Sequence, residues 1–283
     1  MSMIIRKALI VHFSPGGSTA HVARVMEKKI ASLKTPVTMI DLIREPDVPF
    51  ILPQLLDAKD NICLYVGSPV YALHPVPAVM DFISSLPAAE RGYAVPFVTW
   101  GGVSSGVALP LMGEALQDRG YTVLGAAKVL AKHSLMWASD APVGENHPDA
   151  NDDGLVEALV DGVEAKLKEG TPKGLALPLL RYQEERTWAH SEKMNLDVVR
   201  ATLPAKVIHE ERCIQCGLCV QECPAQAITL SPYPEFGPSC ICCLNCVRLC
   251  AEEAIEADLS DAMGRIKTMA EWFHERPFTQ IFV

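Results

Sequence analysis

The sequence reads as an α/β protein, with a doubly wound, five-stranded parallel sheet followed by a small α+β, cysteine-rich domain. Three observations carry this reading. Apolar runs of strand length alternate with helical patterns through residues 1–170. Glycine- and proline-rich turns follow the first, third and fourth runs, where open sheets of this kind gather their ligands. Nine of the ten cysteines crowd into residues 213–250. The 283-residue length suits two domains, and a hydrophobic content of 49% supports a packed core.

Lys7–Phe13 reads as a buried parallel strand, with no polar residue between Ala8 and Val11. Ser18–Ser32 reads as a helix with Val22, Val25, Met26, Ile30 and Leu33 on one face. Further strands are expected at Val37–Leu42, Ile62–Val66, Ala94–Thr99 and Tyr121–Leu130, and helices at 75–86, 105–119 and 154–169. Residues 131–153 form a polar insertion after the last strand, placed to cover a ligand or to lie on the surface. Residues 171–206 lack clear periodicity and contain Pro172, Pro178 and Pro204, which suggests a linker wrapping the first domain. The cysteine domain is expected over 207–258 and a C-terminal helix and tail over 259–283, with the helix at Ser260–Phe273. The apolar tail Phe278–Val283 is expected to pack back on the body. Cys63, inside a strand, reads as an inert core thiol.

The turns carry the first chemistry. Ser14, Pro15, Gly16, Gly17, Ser18 and Thr19 lead straight into a helix. Glycines let backbone N–H groups approach an anion, and a helix N-terminus favours negative charge. This turn holds neither the Gly-Lys-Ser/Thr of a Walker A loop nor G-x-G-x-x-G. The third run is followed by Pro69, Val70, Tyr71, His74, Pro75 and Pro77, a stiff loop that presents two flat rings. The fourth is followed by Thr99, Trp100, Gly101 and Gly102, whose glycines allow close backbone approach.

The cysteines carry the second. Cys213, Cys216, Cys219 and Cys223 are spaced C-x2-C-x2-C-x3-C before Pro224, and Cys240, Cys243, Cys246 and Cys250 repeat the spacing. Three such thiolates cap one [4Fe-4S] cube while the fourth reaches a different cube. The sets are therefore Cys213, Cys216, Cys219 and Cys250 for one cluster, and Cys240, Cys243, Cys246 and Cys223 for the other. The repeat extends past the ligands at an offset of 27 residues, with Ile214 matching Ile241, Val220 matching Val247 and Ile228 matching Ile255. A disulfide framework suits small secreted domains, and a zinc ribbon would use two C-x2-C pairs instead. Cys242 aligns with Gln215 and reads as a non-ligand.

On these motifs residues 1–170 resemble a flavodoxin, and the cysteine segment resembles the bacterial-type two-cluster ferredoxins. The Phe13-Ser14-Pro15 opening with its Gly-rich turn and Thr19 is similar to that of flavodoxin–ferredoxin fusion proteins of anaerobic microbes. The resemblance implies FMN, with its phosphate at Ser14, Gly16, Gly17, Ser18 and Thr19. It places Pro69, Val70, Tyr71 and His74 on one side of the isoalloxazine and Thr99, Trp100, Gly101 and Gly102 on the other. Gly16 and Ser18 depart from the usual Ser/Thr-x-Thr-Gly-Asn-Thr loop, and Ala251 stands where the second cysteine run usually has proline.

The implied function is electron transfer between FMN and two [4Fe-4S] clusters, a one-to-two electron adaptor served by a redox partner protein. The alternative is a flavin-dependent reductase of a small organic substrate, with His74 as proton donor. A net charge of −9 argues against nucleic acid. No apolar stretch approaches the ~20 residues of a membrane helix. Unbridged ligating cysteines imply a reducing cytoplasm.

Overall fold

The computed structural model describes residues 7–48, 62–89, 92–169 and 172–283, so the boundary expected between 170 and 171 lies outside the described residues. In chain order the first part runs β1 (Lys7–His12), α1 (Ser18–Ser32), β2 (Val37–Asp41), β3 (Ile62–Tyr71), β4 (His74–Pro75), α2 (Pro77–Ser85), β5 (Gly92–Trp100), α3 (Ala108–Asp118), β6 (Tyr121–Val123), β7 (Ala126–Leu130) and α4 (Ala150–Lys168). The second part adds α5 (Glu185–Ser191), α6 (Leu196–Thr202), β8 (Val207–Ile208), α7 (Leu218–Gln221), β9 (Ile228–Leu230), β10 (Pro234–Phe236), α8 (Asn245–Arg248), β11 (Ile255–Glu256), α9 (Ser260–Phe273) and β12 (Gln280–Phe282).

The main sheet has the order β2-β1-β3-β5-β7, every pair parallel. The strand expected at Tyr121–Leu130 is in fact two pieces, β6 on the start of β5 and β7 on its end. The break falls at Leu124 and Gly125, where a Cβ on Gly125 would stand 2.9 Å from both Leu159 and the Phe282 carbonyl oxygen. Taken as one bent strand, β6 and β7 complete the 2-1-3-4-5 order of flavodoxin-like sheets. The apolar strand runs follow from burial on both faces. α2 and α3 cover one face through Val79, Phe82, Leu109 and Met112, while α1 and α4 cover the other through Val22, Met26, Leu159 and Val163.

Several element ends differ from expectation for local reasons. α4 starts at Ala150 because Asp149 and Asp152 form a reciprocal capping box. β3 runs on to Tyr71 through the expected loop, since Ala72 (φ 51°) and Leu73 (φ 66°) make a tight turn that pairs Tyr71 with His74. The stretch expected as an unpatterned linker contains α5 and α6, and its Leu180 is buried in the sheet's core. The tail does pack back on the body: β12 joins the sheet antiparallel to β7, with Ile281 opposite Ala127.

Candidate functional site

The carboxyl ends of β1, β3, β5 and β7 open onto a cavity of about 230 Å³. Of the expected cofactor residues, Ser14, Gly16, Ser18, Thr19, Pro69, Val70, Tyr71, Thr99, Trp100 and Gly101 line it. Gly17, His74 and Gly102 are not on its wall. Gly17 acts through its backbone, holding φ 89° as the residue before α1. His74 is engaged instead with its own turn, its Nδ1 lying 2.8 Å from the Ala72 carbonyl oxygen. Gly102 packs under Val143 at φ 73°.

The first loop is prepared for an anion. No side chain caps α1, and the backbone N–H groups of Ser18 and Thr19 have no acceptor among the described residues, whereas that of Ala20 donates to Ser14 Oγ at 2.9 Å. The Thr19 hydroxyl lies 2.8 Å from that of Thr99, tying the loop to the end of β5. The two ring-presenting loops are locked together as well. Val107 N–H donates to the Leu73 carbonyl at 2.9 Å, and Gly106 (φ 56°) lies so close that a Cβ would sit 2.0 Å from that oxygen. Among the described residues the cavity wall carries no Asp or Glu, while Lys132 and Arg265 border it. These features fit a flat, anionic cofactor such as FMN.

Trp100 lines the cavity from within the sheet. Its ring is buried to 1% exposure and stands 4.9 Å from Lys128 Nζ, as part of the sheet rather than a free stacking surface. Tyr71 is better placed. Burial pushes its phenol upward, as does the nearby Cys243.

His133, part of the insertion, lines the cavity and was not singled out as a site residue. Leu135 N–H donates to its Nδ1 at 3.3 Å, which leaves the proton on Nε2. Burial lowers its pKa to about 4, so the ring is neutral near pH 7. A Cβ on Gly101 would stand 2.7 Å from this ring, which explains why glycine occupies that position. The far wall comes from Leu196, Val199, Leu203, Ile266 and Met269. The i, i+3, i+7 spacing of Leu196, Val199 and Leu203 was a helical signal available in the sequence.

The two cysteine runs have matching backbones at the 27-residue offset. Gln215 and Cys242 have φ 58° and 61°, Gly217 and Leu244 have 75° and 55°, and Gln226 and Glu253 both have 48°. α7 and α8 stand at the same offset. Ala227 N–H donates to Cys223 Sγ at 3.2 Å, and Ala254 N–H to Cys250 Sγ at 3.3 Å. All ten cysteines are free. Cys213, Cys216, Cys219 and Cys250 border a second, small cavity of about 30 Å³, with Cys246 also at its edge. Burial pushes the Cys243 thiol up to about 11, and proximity to Cys223 and Cys240 adds to the shift. Cys246 is pushed up to about 12 by burial, then by Cys243 and Cys240. The first set thus lines one small cavity, while in the second Cys243 lies near Cys223 and Cys240, and Cys246 near Cys243 and Cys240.

The second run sits against the main cavity. Ile241 and Cys242 are on the cavity wall, and Ile241 is buried in the same apolar layer as β3 and α2. Asn245 Nδ2 donates to the Pro15 carbonyl at 3.0 Å, and an Arg248 Nη joins it at 3.4 Å. The first run faces outward, with Cys216 exposed and Ile214 66% exposed.

Residues 206–229 match the 4Fe-4S binding domain family. The fold is similar to solved structures of rubredoxin oxygen:oxidoreductase from the anaerobe Desulfovibrio gigas (17% identity, 60% of this chain, 38% of that chain, TM-score 0.45). It is also similar to a flavodoxin from the domain Archaea (21%, 57% and 99%, TM-score 0.41) and to an apo NADH:FMN oxidoreductase (16%, 62% and 98%, TM-score 0.43). The chain thus spans 38% of the length of the first of these. No curated protein matches it. The chain joins a flavodoxin-like sheet to a segment that matches the 4Fe-4S binding domain family. Among the described residues no helix is long and apolar enough to cross a membrane.

Proposed function

We propose that the chain is an internal electron relay, with FMN in the main cavity and two [4Fe-4S] clusters in the cysteine runs. One observation carries this reading: the second run lies on the wall of the cavity and hydrogen-bonds the loop that receives the phosphate. FMN, when bound, exchanges electrons singly or in pairs, whereas a cluster handles one at a time. Ser14, Gly16, Ser18 and Thr19 hold the phosphate, with Gly17 shaping the turn. Pro69, Val70 and Tyr71 flank the ring on one side, and Thr99, Trp100 and Gly101 on the other. His74 and Gly102 support these loops from outside the cavity. Cys240, Cys243, Cys246 and Cys223 hold the inner cluster; Cys213, Cys216, Cys219 and Cys250 hold the outer one. The matching backbones support two clusters rather than one.

The exposed first run is where a redox partner protein would give or take electrons, in the reducing cytoplasm of an anaerobe. Protein purified without oxygen is expected to show a flavin spectrum and about eight irons per chain. Zinc in place of iron, or absence of flavin after gentle purification, would sink this reading.

A second reading, reduction of a small organic substrate, is favoured by His133. Its Nε2–H has no acceptor among the described residues and lies on the cavity wall beside apolar residues of α6 and α9, so as a neutral ring it is better placed than His74 to donate a hydrogen bond to a bound substrate. Steady turnover of a small substrate with dithionite alone supports the reductase, and strict dependence on a partner protein supports the relay.

A further inference from the structure

We propose that Lys206 and Glu252 set the order of the two clusters, making the inner one the better electron acceptor, so that electrons enter at the exposed run and move inward to the cavity. This rests on the two-cluster reading. The internal repeat supplies its own control, because residues 213–228 recur at 240–255, and strands β8 and β9 recur as β10 and β11, at the same 27-residue offset.

At the inner cluster, Lys206 Nζ lies 3.8 Å from Cys240 Sγ and 4.5 Å from the centre of the Phe236 ring. Lys206 is half-buried, and among the described residues it makes no ion pair. Its polar contact is a cysteine sulfur, which becomes an anion when it binds iron. Arg200 adds a donor at 3.3 Å to the Cys240 carbonyl. The residue 27 positions after Lys206 is Tyr233, which carries no charge near neutral pH.

At the outer cluster the asymmetry is reversed in sign. Glu252 borders the small cavity with Cys213, Cys216, Cys219 and Cys250, and it too lacks an ion-pair partner among the described residues. The residue 27 positions before it is the uncharged Ala225. A cluster gains negative charge when it is reduced, so a nearby cation raises its potential and a nearby carboxylate lowers it. Burial of the inner cluster works the other way, since desolvation disfavours the more negative state. Lys206 acts at contact range and is screened less than a surface charge, whereas Glu252 is exposed and screened more. Lys206 therefore has the larger share. The step itself moves one electron: the outer cluster is oxidised, the inner is reduced, and no bond or proton changes place.

The test uses the full-length holoprotein, reduced stepwise with dithionite and followed by electron paramagnetic resonance after its iron has been counted. Lys206→Met is expected to lower the midpoint of one cluster only, changing the electron distribution between the clusters about tenfold, or about 59 mV for a one-electron couple. Lys206→Arg is expected to keep most of the wild-type value. Glu252→Gln is expected to raise the midpoint of the other cluster, and by less. In the wild type the signal sensitive to Lys206 should be reduced first. The proposal is overturned if both substitutions move the same signal, if neither moves one, or if the Lys206-sensitive signal is reduced last. An iron count near four instead removes the two-cluster reading beneath it. Lys206→Gln gives the same comparison should the methionine variant fold poorly.

Discussion

The sheet and the cysteine segment are held together in different ways. Around the sheet, two apolar layers enclose side chains as large as Tyr65, Phe13, Phe82 and Phe97 with almost no exposure. In the segment the apolar cluster has three buried members, Ile228, Cys246 and Ile255, and strands of two or three residues. Burial at this scale does not stabilise a fold alone. The first region is built on hydrophobic burial; in the second, on the proposed reading, bonds from cysteine to iron take over that role.

The largest expected effect separates the two directly. Stripping iron anaerobically from the intact protein should remove amide protection from β8, β9, β10 and β11 while β1, β3 and β5 stay protected, as read by hydrogen exchange. Protection that survives in β8–β11 would break the contrast.

The next effect tests whether the sheet stands without the C-terminal residues. Lys128 on β7 is 2% exposed and pairs with Glu275 at 2.7 Å. Glu275 also accepts from Ser104 Oγ at 2.9 Å, Ser105 N–H at 2.7 Å and Gln183 Nε2 at 3.0 Å. One carboxylate thus ties together the loop after β5, the linker and the tail. Lys128→Met should cost about 3–5 kcal/mol in urea unfolding, because it leaves a buried, uncompensated charge. Removing Glu275 as well, with Glu275→Gln, should recover part of that loss.

These two regions were not equally legible in the sequence. The strands around Lys7–Phe13 and Ala94–Thr99 were readable because burial on both faces leaves unbroken apolar runs. The cysteine runs were readable because iron ligation fixes spacing. What stayed hidden depends on partners far away in the chain. Nothing local to Lys128 points to Glu275, 147 residues later. The role of His133 follows from the fold bringing it against Gly101. The turn at Ala72 and Leu73 lacks the glycine or asparagine that marks such turns, so the loop after β3 read as longer than it is.

His133 also carries a pH effect on the sheet side. Its pKa falls from 6.5 to about 4 on folding, so between these values the unfolded chain binds more protons than the folded one. Stability is then fully present above pH 6.5 and declines as the pH drops toward 4, by about 3 kcal/mol. Thermal unfolding from pH 4 to 7 should show this slope in the apoprotein. His133→Asn should flatten it; an unchanged slope would assign the effect to other groups.

The smallest effect returns to how each region holds its backbone. Both use left-handed residues in their ligand loops. The sheet side places glycines there, Gly17 at φ 89° and Gly102 at φ 73°, whereas the cysteine loops hold Gln215 at φ 58° and Cys242 at φ 61°. A Cβ on Gly17 would meet nothing within 4 Å, so Gly17→Ala should cost about 1 kcal/mol from backbone strain alone. The same change should weaken FMN binding, because it turns the N–H groups that face the phosphate. In the cysteine loops the strain is already present and is overcome by ligation. Gln215→Gly should therefore be close to neutral in the iron-loaded protein, within about 0.5 kcal/mol, since relief of strain offsets the added chain entropy. Chemical unfolding of the two variants side by side checks this, and a Gln215→Gly loss as large as that of Gly17→Ala would show that the loop is not governed by its iron ligands.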